Sequence, residues 1–213
     1  MKRCFWAITL TLVACHSDSK EELITNVDVD NDKVKTDALP LDGAAYRLDT
    51  SADPVLLFTA WGMMNQEQYG TWSEYDVQAG RSDDLLSSLM VSFTINTESV
   101  ETGNNQMTSH LKTNDFFDVA AHPTGSFTSS SVSENGDGTY VVSGEMTLRG
   151  TTKELTYLAT IEEAGEVIHS TATIEFSRWD FGLYPSDAIG PGDDGVGDKV
   201  VVEYDVKLKL EES

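Results

Sequence analysis

The chain has 213 residues, 39% of them hydrophobic, with 36 acidic against 14 basic side chains and a formal net charge of -22. That length supports one sizeable core, and a surface so negative repels phosphate backbones, which excludes nucleic acid as a partner. The same acidity says little about the interior, because carboxylates can occupy outward strand positions and serve solubility.

The first segment reads as a targeting signal. Lys2 and Arg3 precede an apolar run at 4–14 that is too short to span a bilayer as a mature helix. Leu12-Val13-Ala14-Cys15 resembles the lipobox of bacterial lipoproteins. The resemblance implies a signal peptide at 1–14, removed on processing, and acyl chains on Cys15, which together hold the protein stably to a membrane. His16 follows the cysteine where enterobacterial inner-membrane sorting uses Asp, so the outer membrane is expected more than the inner. Cys4 and Cys15 are the only cysteines, and a processed chain therefore has no disulfide within its folded domain.

Residues 15–42 are polar and acidic, lack a sustained period and contain Pro40, the composition of a flexible tether. Asp28-Val29-Asp30-Asn31-Asp32 opens like a calcium loop, but Lys33 stands where the turn needs Gly and Leu39 where a bidentate Glu belongs. It reads as a solvated charge run.

The globular domain is expected over 43–213. Strands are predicted at 46–49, 55–61, 70–77 and 89–95, with 62–68 irregular. A structured crossover then spans 99–127, with a helix-compatible piece at 105–112 and the adjacent Phe116 and Phe117. A strand follows it and ends at the hairpin signal Asn135-Gly136-Asp137-Gly138. Tyr140, Val142, Met146 and Leu148 share one face of the next strand, Leu155, Tyr157, Ala159 and Ile161 one face of the strand after it. Ile168, Ala172, Ile174 and Phe176 continue the pattern, and Val200, Val202, Tyr204, Val206, Leu208 and Leu210 close it. The result is an all-β chain of eight or nine antiparallel strands. One apolar face per strand permits either a two-sheet sandwich or a closed barrel.

Family resemblance chooses the barrel. Ser99-Val100-Glu101-Thr102-Gly103, His110-Leu111-Lys112, Asp115-Phe116-Phe117-Asp118, His122-Pro123 and Phe127 look like the central signature of the YceI-like family. Residues 144–153, GEMTLRGTTK, are similar to its Gly-x-Leu-Thr-Ile-Arg-Gly-Val-Thr-Lys segment, Arg178-Trp179-Asp180-Phe181-Gly182 to its Arg-x-Asp-Phe-Gly, and 196–200 to the start of its closing strand. What this implies is a lipocalin-like antiparallel β-barrel of about eight strands with a short helical crossover. Its interior would hold an isoprenoid lipid or prenyl quinone in the bacterial cell envelope, facing the periplasm. An isoprene chain offers no hydrogen bonds, so affinity must come from apolar area withdrawn from water. The expected lining is Phe93, Leu111, Phe116, Phe117, Phe127, Phe176, Trp179 and Phe181. His110 and Arg178 are placed to meet a head group, although a loop carbonyl for His110, and Asp180 or another carboxylate for Arg178, are the plainer partners.

Two segments depart from the family pattern. Gly62-Met63-Met64-Asn65-Gln66 replaces a more polar stretch, and the long Gly-rich loop 183–195 could form a flap, with Asp193, Asp194 and Asp198 attracting a cation or simply solvated. Two other readings stand beside the carrier. One is an envelope stress or interaction module whose barrel is packed solid. The other is a metal-dependent hydrolase built on His110, His122 and Asp115, whose spacing fits no metal-ligand pattern. No nucleophile elbow, zincin helix or phosphate loop occurs in the sequence, so no enzyme, no cofactor and no metal is expected.

Overall fold

A computed structural model describes residues 43–62, 66–185, 188–190 and 195–211. The signal segment, Cys15, the tether with its calcium-like run, Met63 to Asn65, and Asp193 with Asp194 lie outside the described residues. The described strands are β1 (Ala44–Leu48), β2 (Val55–Trp61), β3 (Glu67–Trp72), β4 (Tyr75–Arg81), β5 (Leu89–Asn96), β6 (Val100–Glu101), β7 (Thr124–Glu134), β8 (Thr139–Leu148), β9 (Thr151–Ala164), β10 (Val167–Ser177) and β11 (Lys199–Leu210), with one α-helix, α1 (Asn105–Leu111). All pairings are antiparallel, and β1 pairs with β11 to close the sheet into a barrel.

Eleven segments make eight staves because three strands are each broken once. β1 and β2 form one stave, β3 and β4 the next, β5 and β6 the third. The first break has a local cause: Asp49 accepts from Ser51 N at 3.1 Å and caps a 3-10 turn at Thr50–Ala52, Asp53 turns left-handed at φ 50°, and Pro54 follows. Proline has no N–H to give a ladder. The second and third breaks are stitched together, with Asn96 N donating to Glu74 O at 2.9 Å and Ser73 N to Ser99 O at 3.2 Å. The predicted single strand at 70–77 is therefore two, bent at Ser73 and Glu74, and pairing begins at Glu67 rather than after Gln68. A bend of this kind curves a sheet toward closure.

The rest of the wall follows the predicted alternation. β8 pairs with β9 and β10 with β11 in register along their lengths, for example Val142 with Tyr157 and Ile174 with Val202, while β9 and β10 pair only between Ala159–Ala164 and Val167–Ala172. A bulge at Ser129–Ser131 lets the Ser129 hydroxyl accept from Val91 N at 2.8 Å. Inward residues at one end are packed solid: Val77, Leu89, Val142, Ile168, Val206 and Leu208 are all 2% exposed or less. At the other end, Ile95, Leu155, Ile174, Phe176, Val200 and Val202 face inward yet remain partly accessible. One half of the barrel is thus filled and the other hollow.

Candidate functional site

The hollow half holds two adjoining spaces. An outer cavity of about 310 Å³ lies under the crossover, between the β2–β3 end of the wall and α1. An inner one of about 90 Å³ lies deeper, between β5, β7, β9, β10 and β11. Trp72, Leu148 and Phe176 line both, so the two spaces meet at these three side chains, the waist of the tunnel.

The crossover builds the mouth. Asn104 caps α1 by accepting from Gln106 N and Met107 N, at 2.9 and 3.1 Å, which orients the helix so that Met107, His110 and Leu111 face the outer cavity. The chain then doubles back through hydrogen bonds from Phe117 N to Leu111 O and from Asp118 N to Thr113 O. That turn sends Phe117 into the core against Trp72, with ring centroids 5.9 Å apart, and leaves Phe116 on the cavity wall. Arg149, left-handed at φ 46°, reaches from the β8–β9 turn to donate to Asn114 O and Gly182 O and ties the crossover to the segment after β10.

The expected lining residues divide by position. Leu111, Phe116 and Phe117 line the outer cavity, Phe93 and Phe127 the inner one, and Phe176 both. Trp179 and Phe181 do not line the tunnel. Alternation stops at Ser177, and residues Arg178–Phe181 form a 3-10 turn from which side chains radiate instead of continuing inward. Trp179 stacks on Tyr184 at 3.9 Å, and Phe181 is buried behind Phe176, edge-on at 5.4 Å.

Polar groups at the mouth are already engaged. His110 Nε2 lies 3.1 Å from Asp115 Oδ2, and its ring meets Phe116 edge-on at 5.0 Å. The plainer partner expected for His110, a loop carbonyl, gives way to this carboxylate. Arg178 is 2% exposed and donates to Gly197 O, Leu183 O and Val196 O at 2.8, 2.7 and 2.9 Å. Backbone carbonyls thus hold its guanidinium on three sides, and they fasten both ends of the loop to the barrel rim. Of the three side chains weighed for a metal, His110 and Asp115 meet, while the His122 ring packs under Gly150. Among the described residues no group of three metal-ligating side chains comes together.

Sequence reading missed Trp72, Met107, Tyr157 and Tyr204 as lining residues. The pattern of the last strand put Tyr204 on the inward face; what it lacked was the height of that residue in the barrel. Four rings form the tunnel floor: Phe93 on Tyr204 at 5.0 Å, Phe127 on Tyr157 at 5.5 Å, and Tyr157 edge-on to Tyr204 at 6.3 Å. Burial pushes the pKa of Tyr157 well up and raises that of Tyr204, so both hydroxyls stay protonated. Tyr204 shares a hydrogen bond with Ser170 at 3.2 Å. The Tyr157 hydroxyl lies near that of Tyr204 without reaching hydrogen-bond geometry. Nothing in this floor is charged.

Known proteins share this architecture. Residues 46–208 match the YceI-like domain. A UPF0312 protein of Shewanella denitrificans is 29% identical over 170 residues, covering 76% of this chain and 88% of the relative. Other curated relatives are matched over about half their length, as with a UPF0312 protein of Ectopseudomonas mendocina, 35% identical over 91 residues, 43% of this chain and 48% of that protein. Among solved structures, BcnA of Burkholderia cenocepacia superposes with a TM-score of 0.66 at 20% identity, over 75% of this chain and 98% of that one. A polyisoprenoid binding domain from Saccharophagus degradans, implicated in plant cell wall breakdown, superposes at 0.60 and 15% identity, over 79% and 99%. At such identities the structural likeness is one of fold. With the domain match covering most of its length, the chain belongs to the YceI-like domain family.

Proposed function

We propose that this protein binds an isoprenoid-like amphiphile, such as a prenyl quinone or polyprenyl lipid, inside its barrel, and that it does so as a non-enzymatic carrier or store. The observation that carries this reading is the tunnel itself: two adjoining, mostly apolar spaces, the outer beside Phe116 and Phe117, that share Trp72, Leu148 and Phe176 as lining. Each methylene moved from water into such a space contributes roughly 0.8 kcal/mol, so a branched hydrocarbon needs no hydrogen bond to bind. The polyisoprenoid binding domain of Saccharophagus degradans, which shares the fold, supports the same ligand class. A packed interaction module would be filled at both ends, and here only the far half is.

The proposal includes place. Lipidation of Cys15 would hold the barrel at the bacterial envelope, on the outer membrane in preference to the inner, where a lipid ligand can be taken from or returned to a bilayer. The test is to express the full chain in bacteria, purify it in mild detergent, and analyse an organic extract by mass spectrometry. A polyprenyl species near stoichiometric with protein is expected, together with labelled fatty acid on the protein that Cys15→Ala removes. Absence of any prenyl lipid, with no rise in melting temperature on adding prenyl quinones, would sink the carrier reading.

A further inference from the structure

The depth of the tunnel is set by named side chains, and it is shallow. On β11, Val200 lines the outer cavity, Val202 the inner one, and Tyr204 is already floor. That stretch of strand rises about 13 Å at ~3.3 Å per residue, or ~10 Å along the barrel axis at the usual tilt. An extended chain of roughly eight bonded carbons, with bonds near 1.5 Å, spans it, which is two isoprene units.

Beyond the floor there is no further room. The next inward residues on the same strands, Val91, Ser129 and Val206, are 9%, 2% and 1% exposed. Farther on, Arg81, Glu163 and Tyr46 close the end. The four floor rings come from β5, β7, β9 and β11 and touch in one layer, so a chain cannot pass without displacing an aromatic side chain from a close-packed core.

We propose that the Phe93–Tyr204 and Phe127–Tyr157 layer is a length gauge that fixes how many isoprene units the barrel withdraws from water. This rests on the lipid-binding reading and adds to it the residues that choose among chain lengths. Units that find no room above the gauge stay in the solvent, and gain little. Phe93 is the residue to open, since it is partly accessible from the tunnel side, whereas Ile174, on the inner cavity wall, is the residue to fill.

The experiment measures the affinities of dimethylallyl alcohol, geraniol, farnesol and geranylgeraniol, one to four units, for the full chain by quenching of intrinsic tryptophan fluorescence, in the parent protein, Phe93→Val and Ile174→Phe. In the parent, affinity is expected to climb about ten-fold or more from one unit to two and then level off. Phe93→Val should move the levelling point one unit longer, and Ile174→Phe one unit shorter. Opposite shifts in two variants that keep their circular dichroism and melting transition cannot arise from loosened folding. A levelling point at the same length in all three proteins, or equal weakening at every length, overturns the gauge alone. A parent protein that binds none of the four prenols overturns the carrier reading and the gauge with it.

Discussion

Arg81 and Glu163 meet across the filled end of the barrel in two parallel contacts, Nη1 to Oε2 at 2.9 Å and Nη2 to Oε1 at 2.8 Å. Tyr46 donates to the same carboxylate at 3.5 Å, and the guanidinium lies over its ring, 5.6 Å from the centroid. The pair joins β4 to β9, strands that are not neighbours in the sheet, and so bolts opposite walls together.

The Arg81 hydrogen bond holds the Glu163 carboxyl below its usual range, outweighing the smaller effect of burial. A folded-state pKa below the unfolded one means that the contribution is complete above about pH 4.5 and is lost as pH falls through the folded value. Both side chains keep some solvent access, so the pair is worth about 1 kcal/mol. Glu163→Gln should cost that much at pH 7 and flatten the acid limb of stability, measured by urea unfolding at pH 7 and pH 3. An unchanged limb would show that the pair contributes nothing.

Arg178 should behave as a buried staple. Arg178→Ala leaves the carbonyls of Leu183, Val196 and Gly197 without their donor, at a cost of about 3 kcal/mol. Arg178→Lys cannot reproduce the planar fork and should recover less than half of that. Thermal unfolding gives the magnitude. Limited proteolysis should place the first new cleavage site within 183–197, and cleavage elsewhere would argue against the staple.

Phe116 and Phe117, adjacent in sequence, should respond differently to truncation. Phe117 is 8% exposed and set edge-on against Trp72, so Phe117→Ala should cost about 3 kcal/mol or more by leaving a cavity. Phe116 is only partly buried on the cavity wall, and Phe116→Ala should cost about 1 kcal/mol. Equal losses in chemical denaturation would contradict the assignment of one ring to core and the other to the mouth.

Two tyrosines test the polar bookkeeping of the interior. The Tyr75 hydroxyl is buried without a partner among the described residues, and burial drives its pKa far upward, so it is held neutral and unpaired. Tyr75→Phe should leave stability unchanged or raise it by up to ~1 kcal/mol. Tyr204→Phe breaks the Ser170 hydrogen bond and should lower stability by about 1 kcal/mol. Melting curves of the two variants that move the same way would refute this contrast.

Much of the wall is legible in the amino-acid order. Alternation along β10 and β11 says which side chains turn inward, and the Asn135-Gly136-Asp137-Gly138 hairpin and Gly165 say where the chain reverses. The motif set around His110, Arg149 and Arg178 carries the family. The breaks at Ser73 and at Thr97–Ser99 are weakly signalled, since they arise where neighbouring staves must bend together. Trp179 and Phe181 look like lining because aromatic residues near an inward strand look alike in one dimension, and only the 3-10 turn separates them from Phe176.

Periodicity of two assigns each residue a side of its own strand, a local property of the pleat. Whether the space in front of that side is filled depends on residues far along the chain that reach in from the opposite wall. Val206 and Val202 are identical in type, strand and direction, yet Val206 is sealed in the core while Val202 borders a void. Closure of the barrel, and the meeting of Phe93 with Tyr204 across it, made that difference.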